Sequence, residues 1–199
     1  MTSPTARNRQ KSDRRAVLLA EAARLMAQRG YLAVRLDDIG AAAGVSGPAI
    51  YKHFAGKEAL LIELLLGIST RLLDGARRVT ADDPDPATAL DALIEFHLDF
   101  VMTEPDLIRI QDRDLANLPA PAQRQVRRAQ RNYIEIWVAV LTALDSTLLE
   151  QDARVMAHGV FGLLNSTPHS LKTIGVTPTV PSRAILRAMA HSALGRRQP

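Results

Sequence analysis

The chain has 199 residues, 47% of them hydrophobic and 23% charged, with no cysteine. This composition fits one compact domain, or a small domain fused to a larger one. It excludes disulfides, thiolate zinc sites, iron–sulfur clusters and cysteine nucleophiles. The net charge of +4 is uneven: residues 1–60 carry ten Lys/Arg and five Asp/Glu, and residues 61–199 carry fifteen and sixteen. A basic first third on a near-neutral body points to a polyanion-binding head, or more simply to a basic tail that aids solubility. No apolar run approaches 18 residues, and no apolar stretch follows the basic N-terminus. The expectation is a cytoplasmic protein without a membrane partner.

Ala, Leu, Arg, Glu and Gln dominate and β-branched alternation is nearly absent, so the fold class expected is all-α, with about nine helices. Residues 1–12 read as a disordered basic arm. A first helix runs from about Asp13 to Arg29, with Leu18, Ala22, Leu25 and Met26 on one face, and Gly30 stops it. A second spans about Leu36–Ala43, with Asp37 and Asp38 in its first turn. Gly44-Val45-Ser46 is a turn, and Ser46 can cap a third short helix with Pro48 in its first turn. Lys57 opens a long helix to about Thr80, and residues 81–86 form a linker. Further helices are expected over about 86–103, 105–117, 122–144, 150–166 (ending at Pro168) and 182–194. The loop before the last contains Gly175, Pro178 and Pro181.

The segment AAAGVSGPAIYKHF, residues 41–54, carries the sharpest signal. Two short helices joined by a Gly-containing turn are the skeleton of a helix-turn-helix, here about 35–54. Ala41, Ala42 and Ala43 are small enough for close helix packing, and Ile39, Val45 and Ile50 lock the pair from inside. Gly47, Pro48, Ala49, Tyr51, Lys52 and His53 are presented outward. Tyr51, Lys52 and His53 suit phosphate or base contacts. Lys57, beside the free N–H groups of the next helix, can hold a phosphate, and Arg35 can reach the facing strand. A three-helix bundle with incidental polarity is the plain alternative.

The stretch from Arg14 to Leu65 resembles the DNA-binding domain of the TetR family of bacterial transcription regulators. The helix ending in QRGY, then DDIGAAAGVS, IYKHF and GKEALL occur in order and at the family spacing. Arg35 stands where the family usually has a capping Thr or Ser, and Met26 where an aromatic residue is common. The resemblance implies a head over 13–58 and an effector-binding and dimerisation body over 59–199. It implies phosphate contacts from Tyr51, His53 and Lys57, and base contacts from Gly47, Pro48, Ala49 and Lys52. It also implies a homodimer on a double-stranded, near-palindromic operator, the two reading helices about 34–36 Å apart, and a ligand-released repressor.

In that arrangement the last two helices pair between subunits. Val155, Val160, Phe161 and Leu164, with Ile185, Leu186, Met189 and Leu194, are the interface candidates, or else core of one chain. The middle helices would enclose an effector. Phe96, Phe100, Leu107, Ile108, Tyr133, Trp137 and Asn165 are candidate walls, with Arg109, Arg113, Arg128 and Arg131 at the mouth. Such a pocket suits a long anionic ligand, an acyl-CoA or fatty acid. A solvated face paired with Asp106, Asp112, Asp114 and Glu135 explains the same arginines. The run IRIQDRDLANLP, with YIEIW, also loosely resembles the lipid and acyl-CoA catabolism regulators of the family. His97 near Glu95 and Asp99 reads as a packed histidine before a metal ligand. Asn165, Ser166, Thr167 and His169 form a polar break around Pro168. No metal or cofactor is called for. A helical enzyme and a pure interaction module are the competing classes. The sequence lacks G-x-S-x-G, H-E-x-x-H, Walker A and GxGxxG patterns.

Overall fold

The computed structural model describes residues 4–82, 85–173 and 180–195. Among the described residues the chain forms nine α-helices and one 3-10 turn, without strands. α1 (Pro4–Arg29), α2 (Leu36–Ala42) and α3 (Gly47–Ile50) make the head. α4 (Lys57–Val79) is shared. α5 (Pro86–Thr103), α6 (Pro105–Asp114), α7 (Ala120–Leu144), α8 (Glu150–Thr173) and α9 (Val180–Leu194) make the body. No helix among the described residues is long and apolar enough to cross a membrane.

α1 begins at Pro4, so residues 4–12 are helical where a disordered arm was expected. Proline at a first turn sacrifices no intrahelical bond, and nothing between Thr5 and Ser12 breaks the helix. The helix ends where Gly30 turns to φ +89 and donates its N–H to Met26 O at 2.8 Å. Leu18, Ala22, Leu25 and Met26 are buried as the periodicity predicts.

The head's tight crossing rests on glycine. Gly44 takes φ +64 in the turn. A side chain on Gly40 would meet Val45 O at 3.1 Å. Ala41 and Ala42, expected to provide the close packing, face solvent. Gly40 is one turn position away and does that job. Ile39 and Ile50 are fully buried between the helices.

α4 carries the core from head to body. Leu60, Leu61, Leu65 and Ile68 have no exposed surface, and Leu64, Leu72 and Leu73 little. Gly75 lets the Phe96 ring lie against the α4 backbone, since a Cβ there would overlap the ring at 1.9 Å. Asp85 caps α5, its carboxylate accepting from Ala87 N at 3.1 Å and Thr88 N at 3.3 Å. α6 stops at Asp114 and continues as the 3-10 turn Leu115–Asn117. α8 does not end at Pro168 but runs on to Thr173. The expected polar break is therefore helical, and the side chains of Thr167 and His169 lie outside the described ones, as do residues Gly175 and Pro178.

α9 is joined to α5 by two arginines and a histidine that meet carboxylates. Arg183 pairs with Glu95 and Asp99, Arg187 with Glu95 at 3.0 Å, and His191 with Asp91 at 2.9 Å. These partners recur every four residues on each helix, so two facing stripes match along their length.

Candidate nucleic-acid interface and ligand cavity

In the head, the basic side chains divide into those used inside and those left outside. Arg15 on α1 reaches across to α4, its Nε donating to Glu63 at 3.0 Å, and lies 4.2 Å over the Phe54 ring. The Lys57 ammonium donates to Tyr31 O at 2.8 Å and to Leu32 O at 3.4 Å, and sits 4.4 Å above the Tyr31 ring. Both cations fasten the link between α1 and α2 or α4 to the rest of the head.

The outer set lies on and beside α3. Ser46, Pro48, Tyr51 and Lys52 are exposed, and Ala49 and His53 half-buried. Arg35 is exposed just before α2. Its missing side-chain cap is replaced by Asp38, whose carboxylate accepts from the Arg35 N–H at 3.0 Å. Lys52 and His53 share a concavity with Asn8, Gln10, Lys11 and Arg14 of α1. Partial burial, then Lys11, Arg15, Arg14 and Lys52, push the His53 imidazole below its ordinary value. The four cations grouped around His53 make this face one that attracts anions. Sequence reading misses two of them: Lys11 falls in the stretch expected to be a disordered arm, and Arg14, at the start of the expected helix, carries no local sign that it faces α3.

In the body, α4 to α8 surround a cavity of about 230 Å³. Ile68 and Leu72 come from α4, His97 and Phe100 from α5, Ile108 and Gln111 from α6. Gln130, Tyr133 and Ile134 come from α7, and His158, Phe161 and Asn165 from α8. His97 is its polar centre. Nδ1 lies 2.9 Å from Tyr133 Oη, and Nε2 lies 3.0 Å from Asn165 Oδ1. The Asn165 oxygen accepts, so Nε2 carries the proton and Nδ1 accepts from the Tyr133 hydroxyl. Burial lowers His97 to about 4, so the ring is neutral at physiological pH. Burial likewise raises Tyr133. Phe161 stacks on His97 at 4.9 Å and on Tyr133 at 5.5 Å, while Trp137 meets Phe161 edge-on at 5.1 Å.

α6 joins the two regions. Ile108 and Gln111 face the cavity. Arg113 donates to Ala27 O at 3.3 Å and to Met26 O, the last carbonyls of α1, and to the buried Asp114 carboxylate at 2.8 Å. Asp114, by hydrogen bonding and charge, holds Arg113 above its ordinary value.

Residues 18–64 match the family model of bacterial regulatory proteins, tetR family, and residues 83–169 match a Tetracyclin repressor-like C-terminal domain. The chain is 31% identical to the HTH-type transcriptional repressor KstR2 of Rhodococcus jostii, over 72% of this chain and 71% of that protein. The chain belongs to the TetR family of transcriptional regulators. A second relative, the HTH-type transcriptional activator FasR of Mycolicibacterium smegmatis, is 31% identical over 77% of this chain and 69% of its own length. In fold, the chain superposes on a TetR-family regulator from Bordetella parapertussis with a TM-score of 0.81, at 24% identity, covering 91% of this chain and 94% of that one.

Within this TetR-family chain the expected cavity residues part company. Phe100, Ile108, Tyr133 and Asn165 line the cavity, and Trp137 backs its wall. Phe96 is spent on Gly75, and Leu107 lines a separate groove between α1 and α4. None of the four arginines lines the cavity. Arg109, Arg128 and Arg131 face solvent, and Arg113 is bound to α1 and Asp114. A helical stripe of arginines reads the same in sequence whether it rims a pocket or meets water. Glu95 and Asp99 turn away from His97 to pair with Arg183.

The interface candidates also divide. Val155, Ile185 and Met189 are 71%, 59% and 46% exposed. Val160, Leu164, Leu186 and Leu194 are buried in their own chain, and Phe161 lines the cavity. Apolar positions on α8 fall on two faces, and only one faces outward.

Proposed function

We propose that this chain is a dimeric, ligand-responsive regulator that grips operator DNA through α3 and its flanks. The observation that carries the reading is the division of the head's polar groups. Ser46, Tyr51 and Lys52 stand exposed on and beside α3, with Lys52 and His53 adjoining Lys11 and Arg14, while Arg15 and Lys57 are engaged with groups of the chain itself. On this reading Tyr51, Lys52, His53 and Arg35 meet phosphates, and Gly47, Pro48, Ala49 and Lys52 approach base edges. Pro48 and Ala49 offer only apolar contact, suited to a thymine methyl. Lys57 becomes a brace of the head.

The dimer uses α8 and α9, through Val155, Ile185 and Met189. Gly159 and Gly162 of α8 also face open space, which lets a second helix come close. Two heads fixed this way would enter successive major grooves.

The effector occupies the cavity between α4 and α8. Its entry moves α6, and Arg113 passes that movement to the C-terminal carbonyls of α1. One head spacing fits DNA and another fits the ligand, so the ligand shifts the population. Among the described residues no arginine lines the cavity, so the expected arginine anchor for a fatty-acid carboxylate or for the phosphates of an acyl-CoA is not on this part of the wall. Release of a repressor is the direction we adopt, after the repressor relative. The activator relative marks the opposite sign, and a reporter on the chain's own promoter separates them. Deleting the regulator raises expression for a repressor and lowers it for an activator.

The test of the whole reading is a mobility shift on the DNA upstream of its gene and on random duplex, at two salt concentrations. Specific binding that weakens steeply with salt supports it. Absence of binding to either DNA contradicts it. Light scattering on an Ile185→Asp, Met189→Asp double variant should report monomers; an intact dimer would move the interface elsewhere.

A further inference from the structure

The chemistry of the effector can be narrowed from the cavity alone, given the reading of that cavity as the effector site. Among the described residues its wall contains no Lys, Arg, Asp or Glu. An ion placed there would lose its water and find no counter-charge, which costs several kcal/mol. Of the wall's two histidines, His158 stands exposed at the rim, while His97 at the centre is fully committed: Nδ1 to Tyr133 and Nε2 to Asn165. Burial keeps His97 neutral down to a pH of about 4. So, among the described residues, the buried part of the wall gives neither an anion nor a cation a charged partner.

The wall is apolar on most sides, from Ile68, Leu72, Phe100, Ile108, Ile134 and Phe161. Its other polar groups are Gln111, whose oxygen accepts from Ser69 at 3.4 Å, Gln130 and Asn165. Asn165 uses its oxygen on His97, and its Nδ2–H₂ group is the donor held in place by the His97–Tyr133 pair. At about 230 Å³ the space is below the roughly 300–1,000 Å³ of pockets that take drug-sized molecules.

We propose that the cavity takes a small, uncharged, largely apolar molecule with one carbonyl-type oxygen, which accepts from Asn165 Nδ2. Specificity then has two parts. The apolar wall admits the body of the ligand. The His97–Tyr133–Asn165 chain fixes Asn165 so that its amide hydrogens point at one place, and a ligand without an acceptor leaves them unpaired.

Three molecules of one shape and different charge test this: benzamide, benzoate and benzamidine. Each is titrated into the full-length dimer, with the emission of Trp137, the only tryptophan, as reporter and ligand-observed NMR as a second readout. Benzamide is expected to bind about tenfold or more tighter than either ion. An Asn165→Leu variant should weaken benzamide by about three- to tenfold. Should that variant fold poorly, the comparison of the three ligands on the unaltered protein decides alone. The proposal is overturned if benzoate or benzamidine binds as tightly as benzamide, or if none of the three binds at about 10 mM. It is also overturned if a folded Asn165→Leu binds benzamide unchanged, or if benzoyl-CoA binds where benzamide does not. A mobility shift on the same preparation separates the two levels. Intact DNA binding with an ion-preferring cavity rejects the ligand class alone, and lost DNA binding rejects the regulator.

Discussion

The head and the body handle polar groups in opposite ways. In the head, Tyr51 and Lys52 project into water, and Lys11 and Arg14 adjoin Lys52. In the body, His97, Tyr133 and Asn165 turn inward and satisfy one another. An exposed cation in water keeps its hydration until a polyanion displaces counterions, so the head suits a salt-sensitive partner. A buried neutral chain of hydrogen bonds offers an ion no counter-charge, so the body suits an uncharged ligand. The contrast makes the two sites different in chemistry, although α4 and α6 join the regions that hold them.

The comparison is broken hardest from the body. Trp137 has no exposed surface and backs the cavity. Trp137→Ala should cost about 3–5 kcal/mol in urea unfolding. A cost below about 1 kcal/mol would mean that the aromatic cluster is not the keystone of the body.

Next comes pH. His97 stays neutral in the folded protein to about pH 4, whereas its ordinary value is 6.5. Between these the unfolded chain binds more protons, so stability must fall as pH drops through this window, by up to roughly 3 kcal/mol. His97→Gln should flatten that part of the profile. An unchanged slope in the variant would assign the acid sensitivity to other groups.

The link between the regions is weaker. Arg113→Met leaves the buried Asp114 carboxylate without its guanidinium and frees the end of α1. Because Arg113 is partly exposed, about 1–3 kcal/mol is expected rather than the larger cost of a fully buried pair. DNA affinity should also stop responding to a cavity ligand. Retained response would place the coupling outside α6.

The smallest effect separates two lysines of the head. Lys57→Met removes two bonds to Tyr31 O and Leu32 O, and should lower stability by about 1–2 kcal/mol. Lys52→Ala should stay within about 0.5 kcal/mol of the parent in thermal unfolding. Equal stability of the two variants would return Lys57 to the surface.

The sequence resolved the head better than the body for a physical reason. The helix-turn-helix is closed by neighbours: Gly40, Gly44, Val45 and Ile50 meet within a dozen residues, and each carries a local signature. The cavity is closed by residues far apart, as His97 and Asn165 are 68 positions apart. Periodicity gave each body helix an apolar face, but not which face meets which. Phe161 was therefore placed at the dimer surface and Phe96 in the cavity, where Gly75 claims it. Cations were the least legible. Lys57, Arg113 and Arg128 are all basic residues on helices, yet one braces the head, one clasps α1 and one faces water. Only the carbonyls and carboxylates around them tell these fates apart.

The most direct measurement is the salt dependence of operator affinity for the parent, Lys52→Ala and Arg128→Ala proteins, plotted as log affinity against log salt. If the head alone carries the phosphate contacts, Lys52→Ala should lower the slope by about 0.9 and Arg128→Ala should leave it unchanged. An equal loss of slope in both, or a slope near zero in the parent, would contradict the account.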